Sequence, residues 1–455
     1  MHMRISLLAL ALAAALTAQA PSQTITNAPL TVLRNMRLID GTGAPVRNHV
    51  TIVLSSGRIQ QICDDAHLCA TPNTAVGMDL AGRTVMPGLI NAHGHLALLN
   101  AESNFDPARY TERNVLRQLE QYGRYGVTTM TSLGLNKDLV YSVRAHQQTG
   151  QFDGATLLTA GRGIGVPDGF PPMNGSSDQI YRPATPEEAR RAVDETVANH
   201  ADLIKIWIDS NHNKFPEMSD AVVHTVISEA HKHHLSVAAH VYALEDARRV
   251  VNMGVDILAH SVRDKEVDES FIKLLKRKKI WYIPTLTVDE SFFVFADHPE
   301  LTQSPFFRDA VPAETLARLN NSEYREKTLA DPSTAVHRQD LAIASRNVKK
   351  LYDAGVQIGF GTDSGAMLGR VPGYSEHREL QLLVAAGLTP LQAISTATSH
   401  NGSALHLGNK GVVSEGEIAD LLIVDGDPST TISDTTHIVA VFHNGIRLQH
   451  VESGQ

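Results

Sequence analysis

Cysteine is nearly missing from this chain of 455 residues; only Cys63 and Cys69 occur. A thiolate zinc site needs a second Cys or Cys-His pair to complete it, and there is none. The two flank a short polar loop, Asp64-Asp65-Ala66-His67-Leu68, and an oxidising compartment would let them pair as a disulfide. An excess of positive charge is missing as well. Forty Lys and Arg stand against 49 Asp and Glu, a net charge of −9. With no tract that clusters basic and aromatic residues, a nucleic-acid surface is not expected. Also absent is an apolar run of the roughly 20 residues that span a bilayer. The longest candidate, Leu7 to Leu16, is too short for a membrane anchor.

That run has another reading. Arg4 supplies a positive start, Leu7 to Leu16 an apolar stretch, and Ala18-Gln19-Ala20 a small-x-small cleavage signal. Residues 1–23 are therefore expected to be a signal peptide. No cysteine near the cut argues against a lipoprotein. The mature protein is expected to be periplasmic or secreted, with no membrane association. Its 42% hydrophobic and 20% charged residues suit a soluble globular chain with a large core.

The chain is organised around Thr84 to His95. An apolar run, Val85 to Ile90, leads to His93 and His95. Residues i and i+2 of a strand share a face, so both imidazoles would project together. Neutral imidazole is the commonest metal ligand among side chains, and a pair of them is half a metal site.

Before this stretch the pattern is short and β-like, with strands at Leu30–Leu33 and His49–Leu54 and a turn at Ser56-Gly57. After it, strand and helix alternate. Apolar runs at 126–131, 155–160, 202–208, 236–241, 255–260, 280–285 and 357–363 follow helical stretches. With the run before His93 they make eight units. Near-continuous apolar strands are the mark of a parallel sheet buried on both faces, and eight of them predict a (β/α)8 TIM barrel. Residues 287–333 interrupt the rhythm and are too long for an ordinary connection; a lid or an oligomer contact is expected there, and a homo-oligomer with it. Beyond a helix at 391–398, β texture returns at 419–424 and 438–442. The fold class expected is α/β: a barrel over 85–400, with a small β-sandwich domain formed by both chain ends, 24–84 and 401–455.

The strand ends then present His93 and His95, His240, His260 and Asp363, while Lys205 sits inside Leu203-Ile204-Lys205-Ile206-Trp207. Desolvation lowers the pKa of a buried lysine. The neutral amine can combine with carbon dioxide, and the resulting carbamate is an anionic oxygen ligand able to bridge two cations. Six such residues at or near the ends of different strands point to a metal centre. His231, His233 and His234 fall at a polar helix end and read as solvated; His224 and His337 lie on amphipathic stretches with no matching partner.

The motifs Pro87-Gly88-Leu89-Ile90-Asn91-Ala92-His93-Gly94-His95, Ile204-Lys205-Ile206, Ala239-His240, Ala259-His260-Ser261, Gly361-Thr362-Asp363-Ser364-Gly365 and Gly416 to Asp425 resemble the amidohydrolase superfamily. The similarity is to the branch of imidazolonepropionase-like proteins and metal-dependent Xaa-Pro dipeptidases. It covers essentially all of the mature chain. The resemblance implies that His93, His95 and Asp363 hold one divalent ion and His240 and His260 a second, bridged by N6-carboxylysine at Lys205. Zinc is the leading expectation, since nitrogen and oxygen ligands with an open position suit it. A shared hydroxide would attack the scissile amide, with Asp363 as general acid–base. The substrate expected is a small-molecule amide: a dipeptide, Xaa-Pro or otherwise, or an N-acyl amino acid, including aromatic amides. Tyr242, Arg162 and Arg370 are the candidate substrate-binding residues, the first implied by the resemblance, the arginines by bidentate geometry. A lactonase or phosphotriesterase is the alternative enzyme, and a non-catalytic metal-binding protein the alternative from another class.

Overall fold

A computed structural model describes residues 30–69, 75–100, 105–149, 154–172, 178–211 and 214–449. The expected signal peptide lies outside them.

Both chain ends enter one eight-stranded mixed sheet. Its order runs Ile446–Arg447, Ile438–His443, Leu421–Val424, Thr84–Pro87, Thr31–Leu38, Arg47–Ser55, Arg58–Cys63, with Val76–Asp79 added on Thr31–Leu38. The pairings are continuous, so the two ends share one hydrogen-bonded sheet rather than forming two separately paired ones. Leu33, Ile52, Ile59, Val85, Leu421 and Phe442 bury its apolar face. Cys63 and Cys69 form the expected disulfide. The sequence reading missed three strands here, Arg58–Cys63, Val76–Asp79 and Ile446–Arg447, which are short or mixed in burial and carry little periodicity.

Eight further strands are parallel: β1 Leu89–Gly94, β2 Val127–Ser132, β3 Thr156–Thr159, β4 Ile204–Trp207, β5 Val237–His240, β6 Ile257–Ala259, β7 Trp281–Ile283 and β8 Gln357–Ile358. They fall on the eight apolar runs. β1 to β3 pair in one sheet and β4 to β8 in another. Isolated parallel bridges, Ile164 with Ile206 and Gly94 with Ser364, connect the sheets at both edges. The apolar run 85–90 is split: Thr84–Pro87 belongs to the chain-end sheet and only Leu89 onward to the parallel set, so the boundary falls at Gly88.

Helices between the strands are set by their caps. Thr111 accepts from Asn114 N at the head of helix Glu112–Arg124, and Thr185 and Glu188 form a capping box on Pro186–Ala198. Their apolar stripes join a core with Leu119, Val193, Val226, Val250, Phe271 and Leu380. Residues 287–333 are helical and bury Phe295, Phe307 and Leu319 against Tyr125 and Val371. Among the described residues no helix is long and apolar enough to cross a membrane.

Candidate metal centre

All six expected ligands converge. His93 and His260 have ring centroids 4.5 Å apart, as do His240 and His260, and His93 and His95 are 5.6 Å apart. Asp363 Oδ1 lies 3.2 Å from His93 Nε2 and 2.8 Å from His95 Nε2. Donor atoms of His93, His260 and Asp363 all fall within 4.8 Å of one another. Two of these residues sit in backbone that L-residues rarely adopt, His260 at φ 85° and Asp363 at φ 55°. Such strain clusters at functional sites and persists only where surrounding structure holds it.

The imidazoles are prepared for lone-pair donation. His95 gives Nδ1 to the Gly134 carbonyl at 3.2 Å, His260 gives Nδ1 to Thr285 Oγ1 at 2.7 Å, and His240 Nε2 meets Asp209 Oδ2 at 3.2 Å. The carbonyl and the carboxylate can only accept, so they fix the tautomers of His95 and His240, while the Thr285 hydroxyl orients the His260 ring. His93 has no hydrogen-bond partner on either nitrogen. Burial pushes His95 down to about 3 and His240 to about 4, and holds His93 and His260 well below the usual range. All four are neutral at physiological pH, the form that ligates.

Lys205 is 1% exposed, and its Nζ has no hydrogen-bond partner. Its recorded neighbour is the Trp207 ring, 5.5 Å away. Burial depresses its pKa strongly. Two glycines with positive φ make room for it: a Cβ on Gly134 would come within 2.6 Å of Trp207 and 3.3 Å of Lys205 Cγ, and one on Gly163 within 2.6 Å of Trp207. A buried amine without an acceptor costs folding free energy, so the chain retains it against stability. Nitrogen and oxygen donors, orphaned polar atoms and pre-set tautomers fit divalent metal ions.

The expected substrate residues fare differently. Arg370 is buried and pairs with Asp363 Oδ2. Tyr242 donates its hydroxyl to Asp340, at 3.0 and 3.2 Å, and lies under Arg263. Arg162 has its guanidinium held bidentately by Asp138, over the Tyr181 ring and within 3.7 Å of Glu195. His337, expected to have no partner, is a correction, since Nδ1 lies 3.0 Å from Asp289 Oδ1 and its ring stacks on Phe292.

Sequence reasoning missed Asp209, Thr285 and Glu376. Asp209 was within reach, being on the period-two face of Lys205 and Trp207. Glu376, fully buried on helix Tyr374–Ala385, accepts from Asn91 Nδ2, Thr362 Oγ1 and Ser364 Oγ at 2.6–2.7 Å. It thereby grips the residues beside His93 and Asp363, a long-range contact no local pattern reveals.

Comparison with known proteins fits this geometry. The model of the Amidohydrolase family matches residues 84–448. An imidazolonepropionase of Nocardia farcinica is 23% identical over 412 residues, covering 84% of this chain and 86% of that one. Among solved structures, a candidate prolidase from Bifidobacterium longum superposes with TM-score 0.73 at 26% identity over 92% of this chain and 95% of that one. The A. niger ochratoxinase gives 0.71 at 20% identity over 93% and 96%. The matched span takes in every strand-end ligand and four of the eight strands of the chain-end sheet, and the chain belongs to the amidohydrolase family.

Proposed function

We propose that this chain is an exported binuclear metallohydrolase that cleaves the amide bond of dipeptides or N-acyl amino acids. That it is a metal-binding hydrolase acting on carbon–nitrogen bonds follows from its family. The finer reading rests on one observation: a buried Lys205 without a hydrogen-bond partner, its pKa pushed down by burial, beside four buried imidazoles. The fold we infer is a (β/α)8 barrel closing through the Gly94–Ser364 and Ile164–Ile206 bridges and carrying a small β-domain built from both chain ends.

In this reading His93, His95 and Asp363 hold one ion and His240 and His260 the other. Lys205, once carboxylated by carbon dioxide with loss of a proton, would supply an anionic oxygen ligand to both. Zinc suits the donor set. When bound, the ions lower the pKa of water and polarise a carbonyl. The protein does the rest. Asp363 accepts the proton of the attacking water and delivers it to the departing amine. Arg370, already on Asp363 Oδ2, steers that carboxylate and is the clamp candidate left at the centre for a substrate carboxylate. Arg263 pairs with Asp289 (Nε to Oδ2, 3.2 Å), while Glu379 accepts from Leu286 N and Thr287 N. Both fasten the first turn of 287–333 over the ends of β6 and β7, as a lid requires.

The test is elemental analysis of the purified mature protein, then turnover of dipeptides and N-acyl amino acids against lactones and phosphotriesters. Two divalent ions per chain and a higher kcat/KM on amides are expected. Faster hydrolysis of lactones or phosphotriesters would replace this reading with the alternative.

A further inference from the structure

Each tethered imidazole spends one ring nitrogen on the protein, but not the same one. His95 and His260 spend Nδ1, on a carbonyl and a hydroxyl respectively. His240 spends Nε2, and its partner is a carboxylate, Asp209 Oδ2 at 3.2 Å. Asp209 follows β4 on the same alternating face as Lys205 and Trp207, and its side chain is 11% exposed. Its own orientation is fixed, because Oδ1 accepts from Asn211 N at 2.6 Å. The His240 ring is packed as well, with Phe170 at 5.3 Å and His260 edge-on at 4.5 Å. Among the described residues no group bonds His240 Nδ1.

From this we infer that Asp209 is a positioning residue for the second ion: it takes the Nε2 proton of His240 and so presents Nδ1 as the donor lone pair. The inference rests on the two-ion reading above. The physical argument is that a ring free to exchange tautomers offers a donor nitrogen for only part of the time. A buried carboxylate on the opposite nitrogen removes that freedom, and it raises the basicity of the ligating nitrogen more than a neutral acceptor does. Asp209 therefore couples the end of β4, which carries Lys205, to the end of β5. One backbone segment then sets both the bridging ligand and a terminal ligand of the same ion.

The experiment compares wild type with Asp209→Asn and Asp209→Ala. Zinc affinity is measured by competition with a chromophoric chelator, zinc stoichiometry after dialysis, and thermal melting on metal-free protein. Asp209→Asn is near-isosteric and keeps the fold testable where Asp209→Ala fails to fold. The expected result is a metal-free melting temperature near wild type, a first zinc bound as before, and a second bound about 10–100-fold more weakly. The cobalt-substituted protein should lose a matching part of its visible absorption. Two zinc ions held by Asp209→Asn with wild-type affinity overturn the inference, as does a lowered melting temperature with unchanged affinity, which marks Asp209 as a structural partner only. A wild-type chain that holds fewer than two ions overturns the binuclear reading, and this inference with it.

Discussion

Lys205 and Lys410 both carry their side chains into the protein, and they are treated in opposite ways. Lys410, its side chain 10% exposed, reaches across to the chain-end sheet and is saturated: Nζ donates to Asp420 Oδ2 at 2.7 Å and to Thr156 Oγ1 at 3.1 Å. Asp420 also takes His443 Nδ1 at 2.9 Å and Asn444 N at 2.8 Å. Lys205, more deeply buried, has no acceptor. Burying a charge is costly unless it is paired, so the first cluster closes its own electrostatics and pins the chain-end sheet to the parallel strands. The second leaves its electrostatics open, and a group with unfilled polar demands at the end of β4 is equipped for a ligand. Burial alone separates structure from function poorly here. The presence of a partner does it better.

Replacement of each lysine by methionine should therefore have opposite consequences. Lys205→Met should lower kcat/KM by at least about 10²–10³-fold, the scale set by losing one preorganised electrostatic group. The metal-free protein should become more stable by about 1–3 kcal/mol, since an unsatisfied buried amine is replaced by an apolar chain of similar volume. Lys410→Met should leave kcat within a few-fold at temperatures where the chain stays folded. It should destabilise by about 3 kcal/mol, the low end for a broken buried pair, because His443 and Asn444 remain on Asp420. Urea titrations of metal-free protein alongside steady-state kinetics measure both. A Lys205→Met protein less stable than wild type would remove the contrast.

Acid sharpens the same comparison, because the clusters fail in different pH windows. His95 and His240 are pushed by burial to about 3 and about 4, and His93 and His260 also lie well below their unfolded value near 6.5. Between those values the unfolded chain binds protons that the native chain refuses, so stability falls as pH drops from about 6.5 towards 4. Asp420 behaves as a carboxylate. Burial pushes its pKa up, but the His443 bond and the Lys410 charge outweigh that and hold it below the usual 3.8. Its contribution is complete above that value and disappears only below it. Metal-free wild type should lose stability between pH 6.5 and 4.5, and Asp420→Asn should show the same slope there from a lower starting point. A slope that vanishes in Asp420→Asn would assign the acid sensitivity to the wrong cluster.

What could be read from the chain follows the same division. The eight parallel strands were legible because each is an apolar run ending in a polar motif, Ala239-His240 or Gly361-Thr362-Asp363, and all six converging residues were found at or near those ends. The break at Gly88 was not legible, since Val85 to Ile90 is apolar on both sides of it and periodicity cannot mark a strand that changes sheets. Partners far along the chain were not legible either. Asp340 for Tyr242 and Asp289 for His337 are 98 and 48 residues away. The Lys410–Asp420 pair spans only ten residues, yet the motif holding Asp420 was read for β texture and family resemblance, and neither names a partner. Local chemistry was readable, and satisfaction of that chemistry was not.

The two arginines proposed as clamps give the smallest effect and the most economical check of that rule. Arg162 is already matched by Asp138 and Glu195, with Tyr181 beneath it. Arg370 is matched only through Asp363, the residue assigned to proton transfer, and burial lowers its pKa to about 9. Arg162→Gln should therefore keep kcat/KM within about twofold and cost no more than about 1 kcal/mol, as for other partly exposed ion pairs. Arg370→Gln should raise KM for substrates with a free carboxylate more than for their amides, and should lower kcat by freeing Asp363 to rotate. Equal losses in the two variants would mean that a satisfied guanidinium still reaches the substrate, and the use of pairing to tell scaffold from site would fail.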